Sequence, residues 1–209
     1  MSEAREITPI LLAAGASSRM GRPKALLDFD GKTCLEIALD AVRGLGGPIV
    51  VLGPDREEVR RGVDLGSATV AVNDDVAGGQ SASLKAALAL LPAPAAAFLF
   101  YPVDFPLVSS AEVGRLVDAF LRCSDPGKAI FIPSHDLKRG HPVLCRRALA
   151  EEFLALSAGE PARAVINARP PRIAYVTYEQ AYILMDMDTP EDYAGCLEAY
   201  RARERRKDR

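Results

Sequence analysis

The sequence has few of the residues that bind structural zinc or form disulfides. Its 209 residues contain two histidines and four cysteines, and the cysteines, at positions 34, 123, 145 and 196, have no C-x-x-C spacing. A structural zinc site normally needs clustered cysteine and histidine ligands, so such a site is not expected. We predict instead that the cysteines are reduced thiols of a cytoplasmic protein.

Excess charge and long apolar runs are also lacking. The 26 basic and 28 acidic residues give a net charge of −2, which favours neither nucleic acid nor an anionic membrane as a partner. No apolar run approaches the roughly 18 residues of a membrane-spanning helix, and the N-terminal residues MSEARE do not have the form of a secretion signal. The exception to this balance is the basic tail 200–209, which is predicted to be a solvated, fraying helix end.

What is present is an alternation of strand-like and helix-like apolar patterns. Strands are predicted at 7–12, 48–53, 68–73, 96–104 and 128–133, and helices at 33–45, 55–63, 81–91 and 109–123. Such alternation is typical of strands that pair in parallel while helices cover both faces of the sheet. We therefore predict an α/β fold with three layers, α/β/α, and a mainly parallel, Rossmann-like sheet.

The last third of the chain is less regular. We predict a turn at 140–142, a helix near 146–156, strands at 173–178 and 182–187, and a final helix that begins at Thr189 and Pro190. The sequence contains no internal repeat and no linker-like segment. A chain of this length suits one domain that buries roughly 70% of its extended surface, so a single domain over 1–209 is predicted.

A glycine-containing loop with three cations follows the first predicted strand. Its sequence, LAAGASSRMGRPK at 12–24, places Arg19, Arg22 and Lys24 where phosphate oxygens would need positive charge. Loops that leave the end of a strand in α/β proteins commonly bind phosphate-bearing ligands through backbone N–H groups. The glycine spacing fits neither the Walker A motif nor the dinucleotide fingerprint. The loop therefore predicts a phosphate site of another kind.

Acidic residues are predicted to lie at the same edge of the sheet. Asp104 ends the apolar strand at 96–104, and an uncompensated carboxylate there would be costly unless it were paired or bound to a cation. Asp186 lies near the end of the run at 182–187 and Asp188 directly follows it, and if that run is a strand their side chains point to the same side of it. The acids that follow them have an ordinary role at a helix N-terminus.

The first loop resembles the signature L-A-[AG]-G-x-[SG]-x-R-M-G-x-x-K of nucleotidyltransferases with a glycosyltransferase-A-like fold. The positions that match are Leu12, Ala13, Ala14, Gly15, Ser17, Arg19, Met20, Gly21 and Lys24. These enzymes also have D-x-P where the chain has Asp104, and [DN]-x-[DN]-T-P-E-[DE] at 186–192. The resemblance implies that Arg19, Lys24 and Asp104 are catalytic and that Asp104 and Asp188 bind Mg²⁺, and it leaves open whether Asp186 joins them.

Among MobA-like nucleotidyltransferases, the chain looks most like the molybdenum cofactor cytidylyltransferases, over residues 7–193. Ala14 has the form found in the enzymes that use CTP, whereas those that use GTP usually have glycine there. The resemblance implies transfer of CMP from CTP to a phosphate-bearing small molecule, with molybdopterin favoured, and release of pyrophosphate. Residues 7–135 would form the nucleotide-binding part, and 136–195 would bind the acceptor and complete the sheet.

A second loop is similar to the nucleobase loop of these relatives. Their pattern N-x-x-x-x-x-G-x-x-x-S-L is matched at Asn73, Gly79, Ser83 and Leu84. Gln80 and Ser81 have side chains able to hydrogen-bond base edges, although a Gly-Gly turn followed by serine is also an ordinary helix start. The full nucleotide-binding set that the resemblance implies is Leu12, Ala13, Ala14, Gly15, Arg19, Lys24, Asn73, Gly79, Gln80, Ser81 and Ser83.

The acceptor is implied to bind near a G-x-P-V turn and one arginine. The corresponding residues are Gly140, His141, Pro142 and Arg163. The relatives have G-D-x-G-A-R where this chain has G-E-P-A-R at 159–163, so a sugar- or alditol-phosphate acceptor, with CTP or UTP, is a second hypothesis. A third is a non-catalytic nucleotide-binding protein or cofactor carrier. An apo-molybdoenzyme or a chaperone is a candidate protein partner.

Overall fold

A computed structural model describes residues 3–15, 20–75 and 77–207. The strands are β1 (Ile7–Ala13), β2 (Asp28–Phe29), β3 (Lys32–Thr33), β4 (Ile49–Leu52), β5 (Thr69–Val72), β6 (Ala97–Pro102), β7 (Ile130–His135), β8 (Lys138–Arg139), β9 (Val143–Arg146) and β10 (Ile173–Thr177). The helices are α1 (Cys34–Ala41), α2 (Arg56–Gly62), α3 (Gly79–Leu88), α4 (Ser110–Arg122), α5 (Ala150–Leu154), α6 (Arg163–Ala168) and α7 (Pro190–Lys207).

One mixed, mainly parallel sheet forms the centre of the molecule. Its order is β10-β7-β9-β6-β1-β4-β5, with β8 paired to β7, and β2 and β3 form a separate hairpin. The strands β6, β1, β4 and β5 are parallel to one another, whereas β9 lies antiparallel between β6 and β7. The chain moves from β1 to β4 on one side and later returns to β6 on the other, which leaves a crevice at the carboxyl end of β1.

Helices cover both faces of this sheet. On one face α1, α2 and α4 share a core cluster with Leu11 of β1, and on the other α3, α5 and α6 share a second cluster with its neighbour Ile10. Successive strand residues point to opposite faces, so β1 serves both layers of the core. The predicted three-layer α/β/α fold with a mainly parallel sheet is confirmed.

Local sequence signals explain where two of the longer helices begin. Thr33 caps α1 and exchanges hydrogen bonds with Glu36, and Ser109 caps α4 in the same way with Glu112. At α7, the Thr189 hydroxyl accepts a hydrogen bond from the backbone N–H of Asp192. This arrangement fixes the start of the helix directly after Asp188.

Two predictions for the C-terminal third were wrong. The run 182–187 is not a strand: Ala181–Leu184 is a 3-10 turn, because the neighbouring β7 already pairs with β10 and β9 and the apolar side chain of Ile183 is buried beneath it instead. The basic tail is not wholly solvated: over its described residues α7 continues to Lys207, Arg201 pairs with Asp30, and Arg203 binds Ser109 and Glu112. The strand β9 was not predicted, since its four residues lack a polar alternation.

None of the helices in the described ranges combines the length and the apolar character that crossing a membrane requires.

Candidate active site

A cavity of about 300 Å³ opens at the carboxyl ends of β1, β5 and β6. Its walls are Leu12, Ala13, Ala14, Gly15, Lys24, Ala25, Asn73, Gly79, Gln80, Ser83, Pro102, Val103 and Asp104. Among the described residues of the predicted nucleotide-binding set, Ser81 alone does not line it and is buried in α3. Arg19, predicted to bind phosphate, lies outside the described residues.

Lys24 connects the two predicted metal ligands. Its Nζ lies 3.2 Å from Oδ2 of Asp104 and 2.7 Å from Oδ1 of Asp188. Burial lowers the pKa of Lys24, but the contacts with Asp188 and Asp104 outweigh that effect and the pKa is raised overall. An ammonium group therefore stands between two carboxylates that come from distant parts of the sequence.

The carboxylate of Asp104 is held in an environment that favours binding a cation. Burial raises its pKa, Lys24 opposes that shift, and the negative charge of Asp186 adds to it. Within the described part of the chain, its Oδ1 atom is buried and has no hydrogen-bond partner. A buried, unsatisfied oxygen is costly, and a cation ligated to it would remove that cost.

The acidic pair fits a divalent cation that is shared with a substrate. Carboxylate oxygens are the ligands that Mg²⁺ prefers, and Mg²⁺ is usually bound through one or two carboxylates together with phosphates and water. Asp104 and Asp188 meet that description. The residues that the structure describes contain no cluster of three or more acids, histidines or cysteines that would enclose a metal by itself.

Backbone contacts fix the segments that contain these acids. The N–H of Met187 donates to the carbonyl of Asp104 at 3.1 Å, and the N–H of Val103 donates to the carbonyl of Leu12 at 3.2 Å. The end of β6 is therefore joined on one side to the first loop and on the other to the segment that contains Asp188. These contacts bring together three regions that the sequence predicted separately.

The second loop is organised by its own polar side chains. Asn73 is buried, and its amide donates to Oγ of Ser83 while its Oδ1 accepts from the N–H of Asp75. Asp75 in turn accepts from the N–H of Gly78. The side chains of Asn73 and Ser83 therefore hydrogen-bond within the loop and stabilise its shape. Gln80, in contrast, is exposed at the cavity.

One residue that shapes the cavity was not predicted. A Cβ atom on Gly53, at the end of β4, would lie 2.9 Å from the carbonyl oxygen of Ala14. Glycine therefore allows β4 to pass close to the backbone of the first loop. The Gly-Pro pair at 53–54 was visible in the sequence, but its proximity to Ala14 depends on the order of the strands.

Of the predicted acceptor residues, His141 packs against the residue that follows Asp104. Its ring centroid is 4.7 Å from that of Phe105, which follows Asp104. Its Nδ1 is buried without a hydrogen-bond partner in the described structure, and burial lowers the pKa of His141 to about 4. The imidazole is therefore uncharged at neutral pH.

The other acceptor residues occupy different positions. Gly140 donates its N–H to the carbonyl of Pro133, and Pro142 is buried. Arg163 is exposed at the first position of α6. The structure thus places His141 against Phe105, the residue after Asp104, and puts Arg163 on a separate element.

Comparison with known proteins identifies the family. Residues 9–173 match the MobA-like NTP transferase domain. Nicotine blue oxidoreductase of Paenarthrobacter nicotinovorans is 31% identical over 88% of this chain and 93% of its own length. Molybdenum cofactor cytidylyltransferase of Escherichia coli is 29% identical over 91% of this chain and 95% of its own length.

A solved structure agrees with this match. Rv0371c of Mycobacterium tuberculosis superimposes with a TM-score of 0.81 and 29% identity over 93% of this chain and 99% of that protein. Its complex with manganese superimposes with a TM-score of 0.76 and 27% identity over 92% and 98% of the two chains. Because the family match covers most of the sequence and agrees with the fold, the chain belongs to the MobA-like NTP transferase family and is a nucleotidyltransferase.

Proposed function

We propose that this enzyme transfers CMP from CTP to a phosphate-bearing small molecule and releases pyrophosphate, with molybdopterin as the favoured acceptor. The observation that carries the proposal is the position of Lys24 between Asp104 and Asp188 at a cavity lined by the first loop. Similarity to a molybdenum cofactor cytidylyltransferase over most of both chains supports the choice of acceptor. Ala14 at the cavity wall supports CTP over GTP.

In this proposal the residues of the chain bind and orient the reacting groups. Lys24 donates to an oxygen of the α-phosphate, and Arg19 binds the β- and γ-phosphates by the match to the family signature. Asp104 and Asp188 hold a divalent cation such as Mg²⁺, which when bound offsets the negative charge of the triphosphate and of leaving pyrophosphate. The manganese complex of Rv0371c supports a divalent cation in this fold.

The bond changes need no general base. An oxygen of the acceptor phosphate bonds to the α-phosphorus as the bond from that phosphorus to the bridging oxygen of the β-phosphate breaks. The acceptor phosphate is already anionic near neutral pH, so no proton has to be removed, and His141 is uncharged there. Catalysis then rests on positioning and on electrostatic stabilisation of the transferring group.

Variants of the two central residues test this proposal. We expect D104N to abolish pyrophosphate release and K24M to lower its rate by roughly 10²–10³, the usual cost of losing a group that stabilises transition-state charge. D40N is the matched control, because Asp40 also pairs with a lysine, Lys32, at 2.7 Å but lies away from the cavity. Wild-type rates in folded D104N would refute the assignment of Asp104.

The same assay distinguishes the acceptors. Molybdopterin is compared with sugar and alditol phosphates, each with CTP, GTP and UTP, because the altered segment at 159–163 leaves the acceptor class open. If pyrophosphate is released with a sugar or alditol phosphate but not with molybdopterin, that compound replaces molybdopterin as the acceptor. Nucleotide binding without release of pyrophosphate for any acceptor would favour a carrier.

The similarity to nicotine blue oxidoreductase supports a second candidate, a redox reaction. A screen with reduced nicotinamide dinucleotides and organic dyes, followed by absorbance, tests it. Oxidation of the dinucleotide by the wild type and by D104N, with no pyrophosphate from any nucleoside triphosphate, would establish this candidate over the first.

A further inference from the structure

The segment after Asp104 is held by side chains from outside it. The hydroxyl of Tyr101 lies 2.8 Å from the carbonyl oxygen of Phe105 and 3.2 Å from that of Val108. The carbonyl of Leu107 accepts a hydrogen bond from Arg203 at 2.5 Å. The path of the chain immediately after the proposed metal ligand therefore depends on a residue of the basic tail.

Arg203 contacts this segment through several groups at once. Its guanidinium also donates to Oγ of Ser109 at 2.5 Å and to the carboxylate of Glu112 at 2.9 Å, and its side chain is mostly buried. The planar guanidinium can make these contacts together, whereas a lysine ammonium cannot reproduce their geometry. Burial raises the pKa of Glu112, but hydrogen bonds from Ser109 and Arg203 outweigh it and lower that pKa overall.

The same guanidinium also contacts the chain that leads to the second acid. It lies over the ring of Tyr182 at 5.0 Å, in the turn that precedes Asp188. Arg203 belongs to α7, which begins directly after Asp188 and Thr189, and roughly 20 Å of helix separate its first residue from Arg203. Arg203 therefore contacts both segments whose arrangement sets the distance between Asp104 and Asp188.

We propose that Arg203 is a positioning residue that sets the separation of Asp104 and Asp188 and thereby the affinity for the divalent cation bound with the nucleotide. The inference rests on the metal-binding part of the proposed function. Partners that orient metal ligands typically change metal affinity or activity by about 10–100-fold when they are replaced. We therefore expect about a tenfold or larger loss of affinity for the cation in R203Q.

The test compares R203Q and R203K with R201Q. Arg201 lies two residues earlier on α7 and pairs with Asp30 on the surface at 2.6 Å, so R201Q removes the same charge from the same helix away from the site. Binding of Mn²⁺ in the presence of CTP is followed by electron paramagnetic resonance, and the Mg²⁺ concentration for half-maximal pyrophosphate release is measured in parallel. Thermal unfolding and CTP binding without metal show whether each variant is folded.

We expect R203Q to weaken Mn²⁺ binding at least tenfold and to raise the half-maximal Mg²⁺ concentration similarly, R203K to fall between, and R201Q to match the wild type. Wild-type Mn²⁺ affinity in R203Q, or an equal loss in R201Q, would overturn the inference. If the wild type binds Mn²⁺ with CTP but releases no pyrophosphate, the proposed transfer is overturned. The Mn²⁺ titration by electron paramagnetic resonance then still tests the role of Arg203. If R203Q is unfolded, R203K decides the question by the same criteria.

Discussion

At the scale of the residue, the buried imidazole of His141 should be visible in the pH dependence of stability. Its pKa is about 4 in the folded protein and 6.5 ordinarily, so the unfolded chain binds a proton first as the pH falls. As the pH falls from 6.5 to 4, the free energy of unfolding therefore decreases, by about 3 kcal/mol at most. In H141Q we expect this contribution to disappear.

Urea unfolding of wild type and H141Q at intervals between pH 7 and 4 measures the effect. H141Q also loses ring packing against Phe105, so its free energy of unfolding at pH 7 is expected to be lower. The protonation of His141 is therefore tested only by how steeply the free energy of unfolding changes with pH. Parallel pH profiles for the two proteins would show that His141 takes up no proton on unfolding.

The residues of the site differ in how far they could be predicted. Lys24 and Asp104 follow buried strands, and side chains at such positions converge in α/β folds, so their proximity was predictable. The part played by Asn73 was not, since its hydrogen bonds to Ser83 and Asp75 depend on the path of the loop. Arg203 was not predicted because a charge run gives no indication of a distant partner.

At the scale of the element, the capping boxes of α1 and α4 offer a matched comparison. T33A and S109A each remove a capping hydroxyl, so each should lower the free energy of unfolding by about 1 kcal/mol. Only Ser109 also binds Arg203, so only S109A is expected to raise the half-maximal Mg²⁺ concentration. Urea unfolding and a Mg²⁺ titration of pyrophosphate release measure the two effects.

The contrast between these variants is the informative result. An equal Mg²⁺ requirement in T33A and S109A would mean that the start of α4 has no influence on the site beyond ordinary helix stability. The two helices begin with the same sequence pattern, S/T-x-x-E, and the same capping contacts, so their different expected effects come from tertiary contacts.

Elements with a clear period or cap were predictable, and those set by tertiary context were not. The run 182–187 has the apolar content of a strand, but the neighbouring β7 is already paired on both sides, so the run forms a turn instead. The strand β9 is buried along most of its length and enters the sheet between β6 and β7, which no local pattern indicates.

At the scale of the whole molecule, the folded state should not depend on bound metal. The ammonium of Lys24 already contacts both proposed ligands, so a chelator is expected to leave the unfolding temperature unchanged. Mg²⁺ and CTP together should raise it, because a ligand at a hundredfold excess over its Kd stabilises by about 2.7 kcal/mol. Differential scanning fluorimetry with CTP, GTP and UTP, each with and without Mg²⁺, measures both effects.

Two results would count against this view. Unfolding at a lower temperature in the presence of chelator would mean that a metal is part of the native structure. A larger shift with GTP than with CTP would contradict the preference inferred from Ala14.

The backbone bond from Met187 to Asp104 has a consequence for the order in which the molecule matures. The ten strands found among the described residues all lie before residue 178, whereas Asp188 and α7 follow it. A chain emerging from the ribosome therefore has the sequence for its entire sheet before the second acid and Arg203 have been synthesised, and domains tend to fold from the N-terminus during synthesis. Under the proposed function, the nascent protein would acquire its architecture first and its competence to bind a metal–nucleotide complex only when α7 is added.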